Sequence, residues 1–517
     1  MPQFSDFISN PPKNFFKIFK DPLFLSLFFF LIVIYFVTRL TNLTIIPVFA
    51  DEAIYIRWAQ VMRAESGLRF LPLSDGKQPL FMWTIIPFLK LIDDPLVAGR
   101  LVSVICGFGT MIGIFVLSLF LFKNKTIALF ASLLYVFSPF ALFFDRMALA
   151  DGMLAFWGIW CLTFSVVLVY FIRLDLAMIA GIVLGLGLLT KSPALFFALL
   201  LPTTIIFSDR RTLRSLKIFK LLVFFGIVYL FGFSIYNILR LGPEFHMIAI
   251  RNKDYVFSFS EILRHPFNPL IGNLKGAISW LWILATPLIF ISAIIGDFLI
   301  IKKQPKSAFF LNFWFLGPLI LQSLIARVYT ARYIFYLVPI FLILAAFFIE
   351  SVFSSLKSKI FSTIILILLF FFPFYQIILL LKYPQNAWLP ENERSGYFEA
   401  WTAGYGIKES AEYLKKIAKN KKVLVGTEGF FGTLPDGLQM YLEKVSNITV
   451  IGLGQPVREI SSKLIDGLVD NRVFLLVNDS RFMIDKNDKL LLISSYPKAL
   501  NPKNNKRESL LLFEVIK

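Results

Sequence analysis

For the first 382 residues the chain alternates long apolar stretches with short basic turns; beyond that point the stretches shorten and polar residues interleave with them. A helix needs about 20 apolar residues to cross the hydrocarbon core of a bilayer, with a range of about 17–25. Spans are predicted at 22–40, 96–122, 126–144, 150–172, 175–190, 193–207, 217–239, 277–301, 308–326, 331–349 and 359–382. The pair 175–190 and 193–207 is short, and its flanks meet at Lys191-Ser192-Pro193, which predicts a shallow hairpin. The stretch 80–92 (LFMWTIIPFLKLI) has 13 residues with a proline inside, the length of an interfacial or re-entrant segment.

That last assignment sets the sidedness. With 80–92 left out there are eleven spans. The turns carrying Lys123/Lys125, Arg173, Arg210/Arg211/Arg214/Lys217, Lys302/Lys303/Lys306 and Lys357/Lys359 then all fall on one side, as the positive-inside rule requires. The first stretch follows Lys13, Lys17 and Lys20, is too long for a signal-peptide core and lacks a small-residue cleavage site, so it reads as a retained span. The expected protein is a multi-pass component of the plasma membrane with its N-terminus cytoplasmic. Segments 41–95, 240–276 and everything after about residue 382 then face outward.

Residues 383–404 carry Pro384, Pro390, Gly396 and Gly404 and read as a linker. Helical spacing at Lys408–Lys419, Leu434–Lys444 and Arg458–Leu468 then alternates with strand-like Lys422–Thr427, Ile448–Ile451 and Arg472–Asn478, and Leu490–Ser495 and Leu510–Ile516 close the pattern. The domains expected are a membrane domain over 1–382 and an extracytoplasmic α/β domain over 405–517. Gly426, Gly429 and Gly432 do not match the dinucleotide fingerprint, so no nucleotide site is inferred.

Composition agrees: 57% of residues are hydrophobic and 16% charged, with 60 phenylalanines. Soluble domains have about 25% charged residues, so lipid must solvate much of this surface. The net charge of +19 would elsewhere suggest nucleic acid; here the cations sit in turns between spans, and nucleic acid is set aside. Cys106 and Cys161 both lie inside apolar runs, so neither a disulfide framework nor a zinc site is encoded.

Charge that remains at membrane depth is the candidate chemistry. Asp51-Glu52 opens an amphipathic run, Ala53–Ala64, and suits either a helix N-terminus or an active site. Asp145-Arg146 and Asp151 lie where two spans meet on the outer side, with an Arg146–Asp151 pair within reach. Lys77 precedes the interfacial stretch, and Arg327, Arg332 and Tyr333 flank a short outer turn; these cations suit either lipid headgroups or a phosphate. His246 and His265 are too far apart in the chain to make more than a weak metal signal. Asp51 and Asp151 share a side only if 80–92 does not cross the membrane.

Taken together, Asp51-Glu52 with Tyr55, Lys77-Gln78-Pro79-Leu80 ending in Trp83, Gly99-Arg100-Leu101, Arg146 with Asp151, and Ala331-Arg332-Tyr333 with Pro339 resemble the GT-C glycosyltransferases. Within them the resemblance is to the protein O-mannosyltransferase and lipid A aminoarabinose transferase superfamily, over roughly residues 20–350. It implies a mainly α, GT-C-type helix bundle. The implied activity is transfer of a sugar from a polyprenyl-phosphate carrier to a protein, lipid or glycan acceptor. The resemblance further implies that Asp51 and Asp151 are active-site acids and that Lys77 meets the carrier's phosphate, although Gln78 stands where the family motif has proline. The glutamate that one relative places before this lysine for a metal is Gly76 here, with Asp75 one residue earlier; a divalent metal is left open and no metal ligand is assigned. Direct displacement at the anomeric carbon would use Asp51 as base and Lys77 and Arg332 on the leaving phosphate, with Arg146 and Arg327 in support. Asp151 and Arg146 would anchor the loop of Asp51 or the acceptor. The rival reading is a transporter or lipid flippase, against which stand the absence of a sequence repeat and the clustering of charge at one face.

Overall fold

The computed structural model describes residues 21–208, 216–356, 358–485 and 488–516. Lys13, Lys17, Lys20, Arg210, Arg211, Arg214 and Lys357, invoked above for sidedness, lie outside them, as does the side chain of Lys359. The membrane bundle comprises α1 (Pro22–Leu40), α2 (Ala50–Ala64), α3 (Leu80–Leu91), α4 (Pro95–Phe122), α5 (Lys125–Val136), α6 (Pro139–Asp145), α7 (Ala150–Phe171), α8 (Leu174–Thr190), α9 (Leu195–Leu200), α10 (Leu216–Tyr236), α11 (Met247–Tyr255), α12 (Phe259–Arg264), α13 (Phe267–Leu284), α14 (Pro287–Lys303), α15 (Pro305–Ile325), α16 (Val338–Ser355) and α17 (Lys359–Lys382).

Among the described residues seven helices are long and apolar enough to cross a membrane, or nine if each of two bent pairs counts as one span. Eleven spans were expected. The difference is the hairpin around Lys191, whose two limbs, 174–190 and 192–207, are apolar helices but short ones. The stretch over 80–92 is a helix of 12 residues, α3, again below spanning length. The predicted span 126–144 is two helices, α5 and α6, meeting at 60°. Pro139 disfavours a continuous helix there. The bend frees the Tyr135 and Val136 carbonyls, which accept from Arg39 at 3.1 and 2.6 Å. Arg39 also pairs with the buried Asp145 at 3.3 Å, and the Tyr135 hydroxyl donates to that carboxylate at 2.8 Å. The predicted span 277–301 bends by 114° at Thr286-Pro287, between α13 and α14.

Burial sorts the helices. The spanning windows of 95–122, 150–171 and 331–355 are 67%, 78% and 72% buried and form the centre. Those of 22–40 and 360–382 are 22% and 28% buried, and their outward faces carry Leu23, Phe29, Phe30, Ile360, Phe361 and Phe371 in the open. That surface is what a lipid environment solvates.

The C-terminal part forms one five-stranded sheet with strand order β2-β1-β3-β5-β4, from β1 (Val423–Thr427), β2 (Ile448–Gly452), β3 (Arg472–Asn478), β4 (Leu490–Pro497) and β5 (Ser509–Val515). The three strands β2, β1 and β3 pair in parallel, and β5 and β4 add antiparallel. Helices α18 (Ile407–Ala418), α19 (Asp436–Leu442) and α20 (Ser462–Gly467) complete the domain. It sits directly on the bundle: Gln60 of α2 donates to the Met440 carbonyl at 2.9 Å, and Arg63 pairs with Glu443 at 2.7 Å. The 383–404 segment, expected as a linker, is packed. The Ala50 N–H donates to Thr402 and the Gly404 N–H to Val48, and Tyr397 and Phe398 are buried.

Candidate active site

Helix α2 starts the site. Its N-cap is Phe49, which has no capping group; instead Glu52 accepts the Phe49 N–H at 3.0 Å. Asp51 is therefore not the cap, and its carboxylate is free to point elsewhere. Glu52 is wholly buried. It takes the Arg100 guanidinium with both oxygens, at 2.9 and 2.8 Å, and the Ala148 N–H at 2.6 Å. Arg100 in turn donates to the carbonyls of Leu43, Ile46 and Pro47. Glu52, expected beside Asp51 as a catalytic acid, is thus fully engaged in holding the 43–49 loop and the start of α2.

Asp51 faces cations. Arg332 Nη1 lies 2.5 Å from its Oδ2 and Lys77 Nζ 3.5 Å from its Oδ1. Burial pushes the Asp51 carboxyl up, but Arg332 and Lys77 together outweigh it and hold it well below the usual carboxylate range. Lys77 is held the opposite way. Desolvation disfavours its ammonium, but the Tyr55 side chain, Asp51 and Asp75 raise its pKa. It lies 5.2 Å above the Tyr55 ring and 3.2 Å from Asp75. The turn that delivers it depends on Gly76, which is left-handed (φ 68°) and so close to Arg251 that a Cβ would come within 2.6 Å of that side chain. Arg251 of α11 pairs with Asp75 at 2.6 Å, tying the 240–276 segment to the 71–77 turn.

The second acid, Asp151 at the start of α7, is 3% exposed and pairs with Lys191 at 2.6 Å. Lys191 is the tip of the hairpin, and its ammonium lies 4.4 Å above the Tyr333 ring. Gln78 donates to Ser192 at 2.8 Å, joining the Lys77 turn to the same tip. Arg332 lies 5.3 Å from the Tyr333 ring centroid and 5.5 Å from that of Phe49. Asp51, Tyr55, Lys77, Asp151, Arg332 and Tyr333 therefore converge, as the same-side reading of residues 51 and 151 requires.

Besides Glu52, two expected members do not join them. Arg146 does not pair with Asp151; its Nη2 donates to the Thr41 and Asn42 carbonyls at 2.8 and 2.6 Å, closing the end of α1. Arg327 pairs with Glu261 at 2.7 Å and lies over the Phe257 ring. His246 and His265 are exposed on the 240–276 segment. The sequence reading missed Lys191, Asp75 and Arg251. Lys191 was visible as a lysine between two apolar limbs, and the depth of such a residue was its signal. A divalent metal fits poorly here: the Lys77 ammonium fills the place between Asp51 and Asp75. Among the described residues no three His, Cys, Asp or Glu side chains come together to hold one.

Fold and site together define a polytopic membrane protein whose buried acid–cation cluster lies beneath an α/β domain. Residues 76–236, which include Lys77, Arg146, Asp151 and Lys191, match the model of the dolichyl-phosphate-mannose-protein mannosyltransferase family. The structure is similar to that of ArnT from Cupriavidus metallidurans bound to undecaprenyl phosphate, at 14% identity over 94% of this chain and 97% of that one, with a TM-score of 0.53. It is also similar to the oligosaccharyltransferase of Archaeoglobus fulgidus tethered to an acceptor peptide containing the NVT sequon. That match is at 12% identity over 89% of this chain and 69% of that one, with a TM-score of 0.54. No curated protein sequence matches the chain. The fold is the GT-C fold of membrane glycosyltransferases.

Proposed function

We propose that this chain transfers a sugar from a polyprenyl-phosphate carrier to an acceptor on the extracytoplasmic face of the membrane, with inversion at the anomeric carbon and Asp51 as base. The observation that carries the reading is the Asp51 carboxylate held between Arg332 at 2.5 Å and Lys77 at 3.5 Å, with the Lys191–Asp151 pair alongside. A bare cation cluster would serve an anion-binding protein. A carboxylate inside the cluster adds a proton acceptor next to the place where phosphate would sit.

The chemistry follows from that juxtaposition. The acceptor oxygen forms a bond to the anomeric carbon as the carbon–oxygen bond to phosphate breaks. The electron pair leaves with the phosphate, and the acceptor's proton passes to Asp51. The leaving phosphate gathers negative charge in a water-poor site, where Lys77 and Arg332 stabilise it. A phosphate that engages these two cations also loosens their hold on Asp51 and raises its basicity, so donor binding prepares the base. Asp151 keeps the Lys191 ammonium over Tyr333, beside the Asp51–Arg332 pair.

The polyprenyl-phosphate donor is proposed from the likeness to the undecaprenyl-phosphate-bound relative and from the cation cluster. Lys123, Lys125, Arg173, Lys302 and Lys303 lie in or beside turns at the ends of helices opposite the site, and the positive-inside rule supports reading that end as cytoplasmic and the site as extracytoplasmic. The test is transfer of radiolabelled sugar from a polyprenyl-phosphate donor in proteoliposomes by the wild type and by Asp51→Asn. Wild-type rates in the variant end the role of Asp51 as base. Movement of the carrier across the bilayer without bond cleavage replaces the enzyme with a transporter.

A further inference from the structure

The segment that joins α17 to the α/β domain enters the site, and its contribution concerns Arg332. Residues 331–337 form a short 3₁₀ helix, and the first N–H groups of such a helix have no partner within it. Glu393 supplies one. It is 4% exposed, and its Oε1 accepts the Ala331 N–H at 2.8 Å, one residue before Arg332. Four residues on, the Tyr397 ring lies 4.4 Å from that of Phe49, the ring that flanks the Arg332 guanidinium. Phe49 itself bridges to Ala403 of the same segment. The 391–403 stretch thus reaches Arg332 from two directions: through Glu393 at the backbone of the preceding residue, Ala331, and through Tyr397 and Phe49 at its side chain.

We infer that Glu393 is a positioning residue for Arg332, fixing the guanidinium where the carrier's phosphate is to bind and so making phosphate affinity depend on the outer segment. This rests on the reading of Arg332 given above. A glutamate is suited to the task because its carboxylate reaches the backbone and also places negative charge near the guanidinium. A neutral acceptor of the same shape supplies the first property alone. The hydrogen bond, rather than the charge, sets the backbone, so Glu393→Gln should keep most of the function and Glu393→Ala should lose it.

The experiment is a double-mutant cycle on binding of undecaprenyl phosphate to the purified full-length chain in detergent, with Kd read by native mass spectrometry. Loss of a buried charged hydrogen bond, passed on to the guanidinium, should weaken binding in Glu393→Ala by about tenfold. Glu393→Gln, which still accepts the Ala331 N–H, should stay within about threefold of wild type and serves as the folded control. In an Arg332→Ala background, adding Glu393→Ala should change Kd by less than about twofold, because the residue it acts through is gone. Additive losses overturn the inference, as does a Glu393→Gln variant as weak as Glu393→Ala. Wild-type affinity in Arg332→Ala instead overturns the phosphate-binding reading of Arg332 itself, and with it the basis for the positioning role.

Discussion

Asp51 and Glu52 are adjacent carboxylates with different surroundings, and substitution should separate them. Glu52 and Arg100 are both fully buried, and their side chains meet at 2.9 and 2.8 Å. Neutralising Glu52 leaves the guanidinium uncompensated in a low-dielectric interior, which costs about 3–5 kcal/mol. In Glu52→Gln an NH₂ group must replace one carboxylate oxygen, where it faces an Arg100 donor together with either the Ala148 or the Phe49 N–H. Replacing both partners with apolar residues, which rescues many buried pairs, should fail here. It would strand the carbonyls of Leu43, Ile46 and Pro47 and the N–H groups of Phe49 and Ala148. Asp51 is about one-fifth exposed, so its neutralisation leaves Arg332 and Lys77 within reach of water and, for Lys77, of Asp75. Melting in detergent, followed by fluorescence-detected gel filtration, should show Glu52→Gln and the Glu52→Met/Arg100→Met double variant much less heat-resistant than wild type. Asp51→Asn should melt close to wild type while losing transfer. A Glu52→Gln protein with wild-type melting would refute the assignment of Glu52 to holding the loop.

Further outcomes follow from the same geometry. Lys77→Met removes one of the cations that hold the Asp51 carboxyl low, so the acidic limb of kcat/KM should move to higher pH; an unmoved limb would separate that limb from Asp51. The same variant should raise KM for the lipid donor at least about tenfold through the lost phosphate contact. Lys191→Met should leave Asp151 buried without its partner and lower both stability and transfer; a variant with wild-type transfer removes the Lys191–Asp151 pair from the site. Burial pushes the Asp436 carboxyl in the α/β domain up to about 6, against the pull of the Gly432 N–H and Arg57. Its contribution to stability is therefore full below about pH 4 and lost as pH rises through about 6, an effect of about 3 kcal/mol. Asp436→Asn, whose amide oxygen still accepts the Gly432 N–H, should flatten that part of the stability–pH curve; an unchanged curve would show that another group titrates.

Much of the architecture was legible in the chain because its periodicities are local. Apolar runs of spanning length mark the helices of the bundle, and the five strands lie within a residue or two of where β-rich stretches end at glycine, proline and charge. The bends at Pro139 and Pro287 were missed as breaks, since hydropathy counts composition and not direction. That residues 51 and 151 share one side was also readable. The 13-residue stretch over 80–92 is too short to cross, and this alone places residues 51 and 151 on one side.

Which charges meet was a different matter, because a hydrogen bond depends on distances that no spacing along the chain encodes. Asp51 and Glu52 look alike in sequence, and only the packing of Arg100 of α4 beneath the loop gives Glu52 to the scaffold and leaves Asp51 to the cation cluster. Arg146 sits five residues from Asp151 yet turns to the end of α1, while Asp151 takes Lys191, forty residues on, from another hairpin. Glu393 lies in a stretch whose prolines and glycines read as a linker, and it meets Ala331 only because the segment folds back over the site. The sequence by itself determined the class of fold and the face that holds the charge. The tertiary structure decided the pairing, since in a water-poor interior each charge must find its counter-charge and the arrangement of helices dictates which one is near.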